Sequence, residues 1–107
     1  MKYEIRYLPL ASRDLSNIIS YIADELKTPK VAIDLIDALD ISISRLVQFP
    51  YSCRVYLYQF EKPLDNEYRV LPVKNYLVFY VVEEQVVEIH RVIYAKMDLS
   101  KVIKWYY

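Results

Sequence analysis

The sequence predicts an α+β domain in which a hairpin of two helices packs on one face of a mainly antiparallel sheet. Three observations predict it: an alternating N-terminal segment, two amphipathic stretches with a very short connection, and three runs rich in β-formers with polar breaks. In chain order these give β-α-α-β-β-β, followed by a short C-terminal helix. With 107 residues the chain is long enough for one domain, spanning residues 1–107, and too short for two.

The N-terminal segment, residues 2–8, places Tyr and Ile side chains on one side and charged side chains on the other. This alternation predicts a strand with one solvated face, at or near an edge of the sheet. Pro9 ends it.

The amphipathic stretches run from about Pro9 to Lys27 and from Pro29 to Phe49. In each, apolar residues recur at spacings of three and four, which predicts one buried stripe per helix. The stripes are Ala11, Leu15, Ile18, Ile19, Ile22 and Leu26, then Ala32, Leu35, Ile36, Leu39, Ile43 and Leu46. Thr28 and Pro29 form an N-cap followed by proline at the first helical position, so we expect an antiparallel helix hairpin.

The C-terminal part contains three runs of Val, Ile, Leu, Tyr and Phe, at about 67–73, 75–82 and 86–94. They are separated by Lys74-Asn75 and by the segment 83–85, which are short enough for hairpins. We therefore predict an antiparallel meander.

The meander strands are apolar on both faces, whereas two helices can cover only one. We expect the second face to contact a partner protein, the segment 50–66 or the C-terminal tail. Within residues 50–66, Arg54 to Phe60 could form an extra strand, but two prolines and Asp-Asn favour a long ordered loop. Residues 98–104 favour the short C-terminal helix.

Composition excludes several kinds of function. Lys and Arg number 14, as do Asp and Glu, so no overall field attracts nucleic acid or a membrane. The chain has one Cys, one His and no Gly, which argues against disulfides, metal clusters and Gly-rich phosphate loops. We expect no metal and no cofactor. No apolar run approaches the ~18 residues of a membrane span, and we expect a cytoplasmic protein.

Two segments carry a resemblance to a known family. The helix entry LPLASRDLSNIISYI and the run YRVLPVKNYLVFYVVEEQVVEIHRVIYAKMD, in the order β-α-α-β-β-β, resemble the RelE/ParE superfamily of type II toxin–antitoxin toxins. The resemblance covers nearly the whole chain except its aromatic C-terminus.

The resemblance implies a small cytoplasmic toxin of the plasmid-stabilisation type, made together with a cognate antitoxin. RelE-like members cut mRNA on the ribosome, and ParE-like members inhibit DNA gyrase, so both are candidate targets. A second copy of the chain, forming a homodimer, is a further candidate partner. Because members share a fold and differ in their sites, the mechanism has to be argued residue by residue.

A metal-independent ribonuclease of this kind needs a base, cations for the scissile phosphate and an acid. By the resemblance, Arg69 matches the first basic position, while Tyr94 and Lys96 fall where members place His or Arg. Leu77 stands where these ribonucleases usually have arginine, and Val102 near the position of a terminal tyrosine. The set is incomplete, which favours ParE-like inhibition by target binding and leaves an mRNA endonuclease as the alternative.

Each candidate also has a structural interpretation. Arg69 could pair with Glu67 or Glu88 on the sheet surface, and Arg91 among apolar neighbours requires an ion pair if it is buried. His90 has no sequence neighbour that suggests a catalytic pair.

Target or partner binding by Arg69, His90, Arg91 and Tyr94 is the functional alternative. Arg91 and Tyr94 have opposite parity in a regular strand, so one site can contain both only if a bulge intervenes.

Overall fold

The computed structural model describes residues 2–56 and 67–96. Within these ranges the predicted element order is confirmed. The elements are β1 (Glu4–Tyr7), α1 (Pro9–Ser20), a π-helical turn (Tyr21–Glu25), α2 (Pro29–Ser44), a 3-10 turn (Arg45–Val47), β2 (Arg69–Val73), β3 (Tyr76–Glu83) and β4 (Val86–Tyr94). The predicted helix at 98–104 and residues 57–66 of the predicted loop lie outside the described residues.

The strands form a four-stranded mixed sheet in the order β1-β4-β3-β2. β2, β3 and β4 pair antiparallel, as predicted for the meander. β1 pairs parallel with β4. The helix hairpin carries the chain from β1, at one edge of the sheet, to β2 at the other edge. β1 is therefore an edge strand, as its alternation indicated.

The helix hairpin closes through a tight connection at Thr28. Its hydroxyl and its backbone N–H both donate to the carbonyl of Ile22, at 3.1 Å, so the side chain closes the turn and does not cap α2. Lys27 takes a left-handed conformation, φ 53°, which reverses the chain before Pro29 begins α2. The π-helical turn continues α1 toward the helix end predicted at Lys27.

The main core lies between the helices and the sheet. Its buried residues combine the stripes of both helices with the strand side chains on the helix-facing side of the sheet: Ala11, Ile22, Ala32, Leu35, Leu39, Ile43, Leu46, Val73, Val78, Tyr80, Val87, Ile89 and Val92. The second predicted stripe is buried except for Ile36. In the first, Ala11 and Ile22 are buried, three residues are half-buried, and Leu26 at its end is 52% exposed. Ile36, which we had placed in the second stripe, is 45% exposed on the outer side of α2.

The other face of the sheet carries a second buried cluster, formed by Tyr68, Val70, Phe79, Val81 and Ile93. Each of these side chains is at most 6% exposed in the isolated chain. The ring of Tyr56, from the segment 50–66, packs edge-on against Phe79 with 5.1 Å between centroids.

Of the three alternatives for covering this face, a contribution from the segment 50–66 is supported by Tyr56, and the face is already buried in the isolated chain. The apolar pattern shows that the face is buried but cannot show whether the covering atoms come from the same chain.

Candidate functional site

Arg69, at the start of β2, is held by three contacts. Its guanidinium donates to the backbone carbonyl of Cys53 at 2.7 Å and to the Glu67 carboxylate at 3.4 Å, and lies over the Tyr51 ring at 4.9 Å. The side chain is only 16% exposed. The predicted pairing with Glu67 is present, and these contacts fix the segment 51–53 against the sheet.

Leu77 lies on the opposite face from Arg69. Arg69 is opposite Tyr80 of β3, which belongs to the helix-facing core, whereas Leu77 packs against the second cluster with Phe79 and Ile93. Leu77 therefore contributes to a buried apolar surface at the position where the resembling ribonucleases have an arginine.

His90 is nearly buried, at 9% exposure, on the second face. Its Nδ1 lies 3.0 Å from the Tyr68 hydroxyl and its Nε2 lies 3.4 Å from a Glu88 carboxylate oxygen. Burial lowers the pKa of His90, and hydrogen bonding to Glu88 and its charge partly oppose this shift. The neutral imidazole can accept from Tyr68 and donate to Glu88, so both ring nitrogens have a partner.

Arg91 forms the shortest ion pair among the described residues. Its Nε and a terminal nitrogen donate to the two oxygens of Asp14 at 2.6 and 2.8 Å, with side chains 15% and 13% exposed. Asp14 also accepts the backbone N–H of Val92 at 3.0 Å. β1 pairs with β4 only as far as Ile89, so Asp14 of α1 takes over beyond that point as the partner of the β4 edge.

β4 contains a bulge directly before Arg91. Ile89 is opposite Tyr80 and Arg91 is opposite Phe79, which leaves His90 as the extra residue. The bulge thus lies directly before Arg91 and not between Arg91 and Tyr94. The expectation that Arg91 and Tyr94 could share a site only with a bulge between them was therefore wrong. Residues 91–94 pair regularly with residues 76–79, and both side chains nevertheless line one cleft.

This cleft, of about 870 Å³, opens between the helix hairpin and the ends of β3 and β4. Tyr94 is 37% exposed and its ring packs at 5.5 Å from that of Tyr76. Burial, with Tyr94 and Tyr21 nearby, raises the pKa of Tyr76, so its phenol stays neutral. Polar, charged and apolar residues together line the cleft: Asp14, Asn17, Ile18, Tyr21, Ile22, Leu26, Val31, Asp34, Leu35, Lys74, Asn75, Tyr76, Arg91, Val92, Ile93 and Tyr94. Such a cleft suits binding of an amphipathic surface.

The structure does not bring the proposed ribonuclease residues together. Arg69 and Tyr94 lie on strands either side of β3, opposite Tyr80 and Tyr76 respectively. Strand spacing and rise place their Cα atoms roughly 16 Å apart. Lys96 is exposed just beyond β4, and Val102 lies outside the described residues.

Sequence reasoning missed Asp14 and Tyr68 as partners. Asp14 is one polar residue among several on α1, and its contact with Arg91 spans 77 positions in sequence. Only the burial of Arg91 signalled that some carboxylate had to be near. Among the described residues no group of His, Cys, Asp and Glu could hold a metal ion, and no helix is long and apolar enough to cross a membrane.

Comparison with known proteins decides the family. Residues 5–99 match the family described as ParE toxin of type II toxin–antitoxin system, parDE. The chain belongs to the ParE toxin family. It is therefore a toxin of the RelE/ParE superfamily of type II toxin–antitoxin systems, as the resemblance indicated. No curated protein sequence matches this ParE-family chain at a significant level.

Solved structures similar to this ParE-family toxin include chains of three toxin–antitoxin systems. One, described as the chromosomal ParDE system from P. aeruginosa, has a TM-score of 0.70 and 14% identity, covering 89% of this chain and 98% of that chain. The RelBE2 complex from Mycobacterium tuberculosis has a TM-score of 0.56 and 19% identity, covering 88% and 99%. The E. coli DinJ-YafQ complex has a TM-score of 0.54 and 14% identity, covering 88% and 93%. At these identities the likeness establishes the fold alone.

Proposed function

We propose that this ParE-family toxin inhibits a cellular target by binding it, DNA gyrase being the candidate, and that a cognate antitoxin neutralises it. The observation that carries the proposal is Leu77, which packs on a buried apolar cluster where a ribonuclease needs a phosphate-binding cation. Because Leu77 packs on a buried apolar cluster, it provides no positive charge to bind a scissile phosphate. The toxin would act in the cytoplasm, where this target is found.

Two further observations support binding over catalysis. Arg69 already makes contacts with Cys53, Glu67 and Tyr51, so releasing it for a phosphate would cost those interactions. Arg91 is likewise committed to Asp14. The Tyr-lined cleft, in contrast, is open and combines apolar and polar groups.

A cognate antitoxin is proposed as the neutralising partner because the similar structures are described as toxin–antitoxin systems or complexes. The cleft, the sheet edges and the outer surfaces of the helices are open to it, whereas the second face of the sheet is already buried.

The alternative is a RelE-like, ribosome-dependent mRNA endonuclease using Arg69, Tyr94 and Lys96. It is favoured by the exposure of Tyr94 and Lys96 at the end of β4. For this enzyme the Arg69→Ala variant, if folded and still able to bind antitoxin, would lose toxicity. Tyr94→Phe, which keeps the ring, would reduce mRNA cleavage by removing the hydroxyl.

Inducible expression of the toxin alone tests the proposal. Translation, mRNA 5′ ends and plasmid supercoiling are followed in parallel, with co-expression of the product of an adjacent reading frame as the neutralised control. We expect growth arrest with loss of negative supercoiling and no ribosome-positioned cuts. Ribosome-positioned cuts with normal supercoiling would transfer the function to the endonuclease, and unimpaired growth would contradict a toxic activity of either kind.

A further inference from the structure

The second helix, α2, is apolar on two sides. Its inner side is buried in the main core through Ala32, Leu35, Leu39 and Ile43. Its outer side exposes Ile33, Ile36 and Ile41, by 57%, 45% and 57%. Isoleucine is a below-average helix former because its branched Cβ restricts χ1, and exposed Ile side chains add nothing to the core. Neither helix propensity nor core packing therefore accounts for them.

Aspartates alternate with these isoleucines. At 100° per residue Ile33, Asp37 and Ile41 follow one row of the helix surface, and Ile36 and Asp40 lie in the adjacent row. We call these five residues the outer face of α2. Neither Asp37 nor Asp40 forms an ion pair with a cation within the part of the chain that the structure describes.

The negative charge of α2 limits the kinds of partner that can bind its outer face. From Pro29 to Ser44, α2 carries three aspartates, Asp34 included, against Lys30 alone, and Lys30 already pairs with Asp34 at 3.3 Å. Nucleic acid and anionic membranes would be repelled. A second copy packed by the same face would bring Asp37 and Asp40 close to their own counterparts, which like-charge repulsion disfavours.

We propose that the outer face of α2 binds an amphipathic helix of another protein whose apolar residues are flanked by Lys or Arg. Apolar side chains at spacings of three and four would pack between Ile33, Ile36 and Ile41, and the cations would pair with Asp37 and Asp40. These five residues lie outside the lining of the Tyr-containing cleft, so the surface is separate from it. The inference does not depend on which cellular target the toxin inhibits.

Two synthetic helices test the proposal on the intact chain. The probe is an 18-residue peptide with Leu at spacings of three and four and Lys elsewhere, and its control replaces every Lys with Glu. Calorimetric titration measures the dissociation constants, and hydrogen exchange locates the bound region. We expect the Lys peptide to bind with slowed exchange within residues 30–44, weakening as salt is raised, and the Glu peptide to bind at least about tenfold more weakly.

Matched variants separate this surface from net charge. Replacing Asp37 and Asp40 together by Lys, and replacing Ile33 and Ile36 together by Ser, should each weaken the Lys peptide about tenfold. The control replaces Glu4 and Glu83, both exposed on the sheet, by Lys and makes the same change in net charge. It should leave binding within about twofold.

Three outcomes would overturn the proposal. They are no binding of the Lys peptide, equal weakening by the Glu4 and Glu83 control, and exchange protection confined to the cleft. The proposal would also be wrong if the free chain dimerised with rising concentration and the Ile33 and Ile36 variant did not. That result would show that the outer face of α2 binds a second copy of the chain. Circular dichroism of each variant confirms that the fold is retained before the titrations are compared.

Discussion

At the scale of single residues, Asp14 is the side chain whose role depends most on the fold. It accepts both the Arg91 guanidinium and the Val92 backbone N–H, and so replaces the missing strand partner at the edge of β4. An isolated, exposed carboxylate on a helix would contribute little to the free energy of unfolding. Here it neutralises an almost buried cation and satisfies a backbone donor at the same time.

Asp14→Asn should lower the free energy of unfolding by about 2 to 3 kcal/mol, since Arg91 keeps its charge and loses its counterion. Urea denaturation measures it. The control is Asp34→Asn, which breaks the exposed pair with Lys30 and should cost less than about 0.5 kcal/mol. Similar losses for the two variants would show that Arg91 finds another partner.

His90 gives the chain a defined pH response. Its pKa in the folded protein is lowered from the ordinary 6.5 by burial, so between the two values the unfolded chain binds more protons. The free energy of unfolding should therefore fall as pH drops below about 6.5, and this contribution should be constant above it. Because His90 is the single histidine, the difference between the parent and His90→Gln in urea denaturation from pH 7.5 to 5 isolates the effect. A constant difference across that range would contradict it.

At the scale of elements, the two helices follow their sequence pattern closely, and the differences have physical causes. Stripe positions predict which side of a helix is apolar. Ile36 has the spacing of the stripe, yet in the folded protein its side chain points to solvent. The helix rotates to bury Leu35, Leu39 and Ile43 against the sheet, since those three positions fit one contact surface.

Leu39→Ala should reduce the free energy of unfolding by about 3 kcal/mol, because Leu39 is 4% exposed and its loss leaves a cavity beneath α2. Ile41→Ala, on the same helix and 57% exposed, should cost less than about 1 kcal/mol. Thermal or urea unfolding of both variants makes the comparison. A large loss for Ile41→Ala would mean that the outer face of α2 is covered in the free chain.

The hairpins illustrate how the sheet forms without glycine. Lys74 and Glu84, with φ of 53° and 56°, take the left-handed conformation that glycine or asparagine usually occupies in two-residue turns. Cross-strand packing of the long apolar β3 and β4 outweighs this local cost, of order 1 kcal/mol per residue. The polar breaks predicted the turns correctly although their residues are not the usual ones.

At the scale of the whole molecule, the two faces of the sheet have different roles. One packs on the helices, and the other forms a second buried cluster that includes Leu77 at its margin. The family's ribonuclease chemistry, as the resemblance describes it, needs cations where this toxin has apolar side chains. Under the proposed binding function, the cleft, the edges and the helix surfaces would contact the target.

Leu77→Arg tests this difference directly. Restoring the arginine expected of a ribonuclease should place a cation against Phe79 and Ile93, lower the free energy of unfolding by about 2 kcal/mol and produce no mRNA cleavage. Leu77→Met, which conserves volume, should cost less than about 1.5 kcal/mol. Urea unfolding and mRNA-end mapping after induction provide the readouts. New ribosome-positioned cuts from a stable Leu77→Arg variant would indicate that the rest of a catalytic site is already in place.

The sequence by itself determined the element order, the edge position of β1, the helix hairpin and the meander, because periodicity and turn residues act over a few positions. It also indicated that a buried Arg91 requires a partner. Only the tertiary structure decided which carboxylate that is, that β4 contains a bulge at His90, and that the second face is buried in the isolated chain. Those outcomes depend on contacts between residues far apart in sequence, which no local pattern encodes.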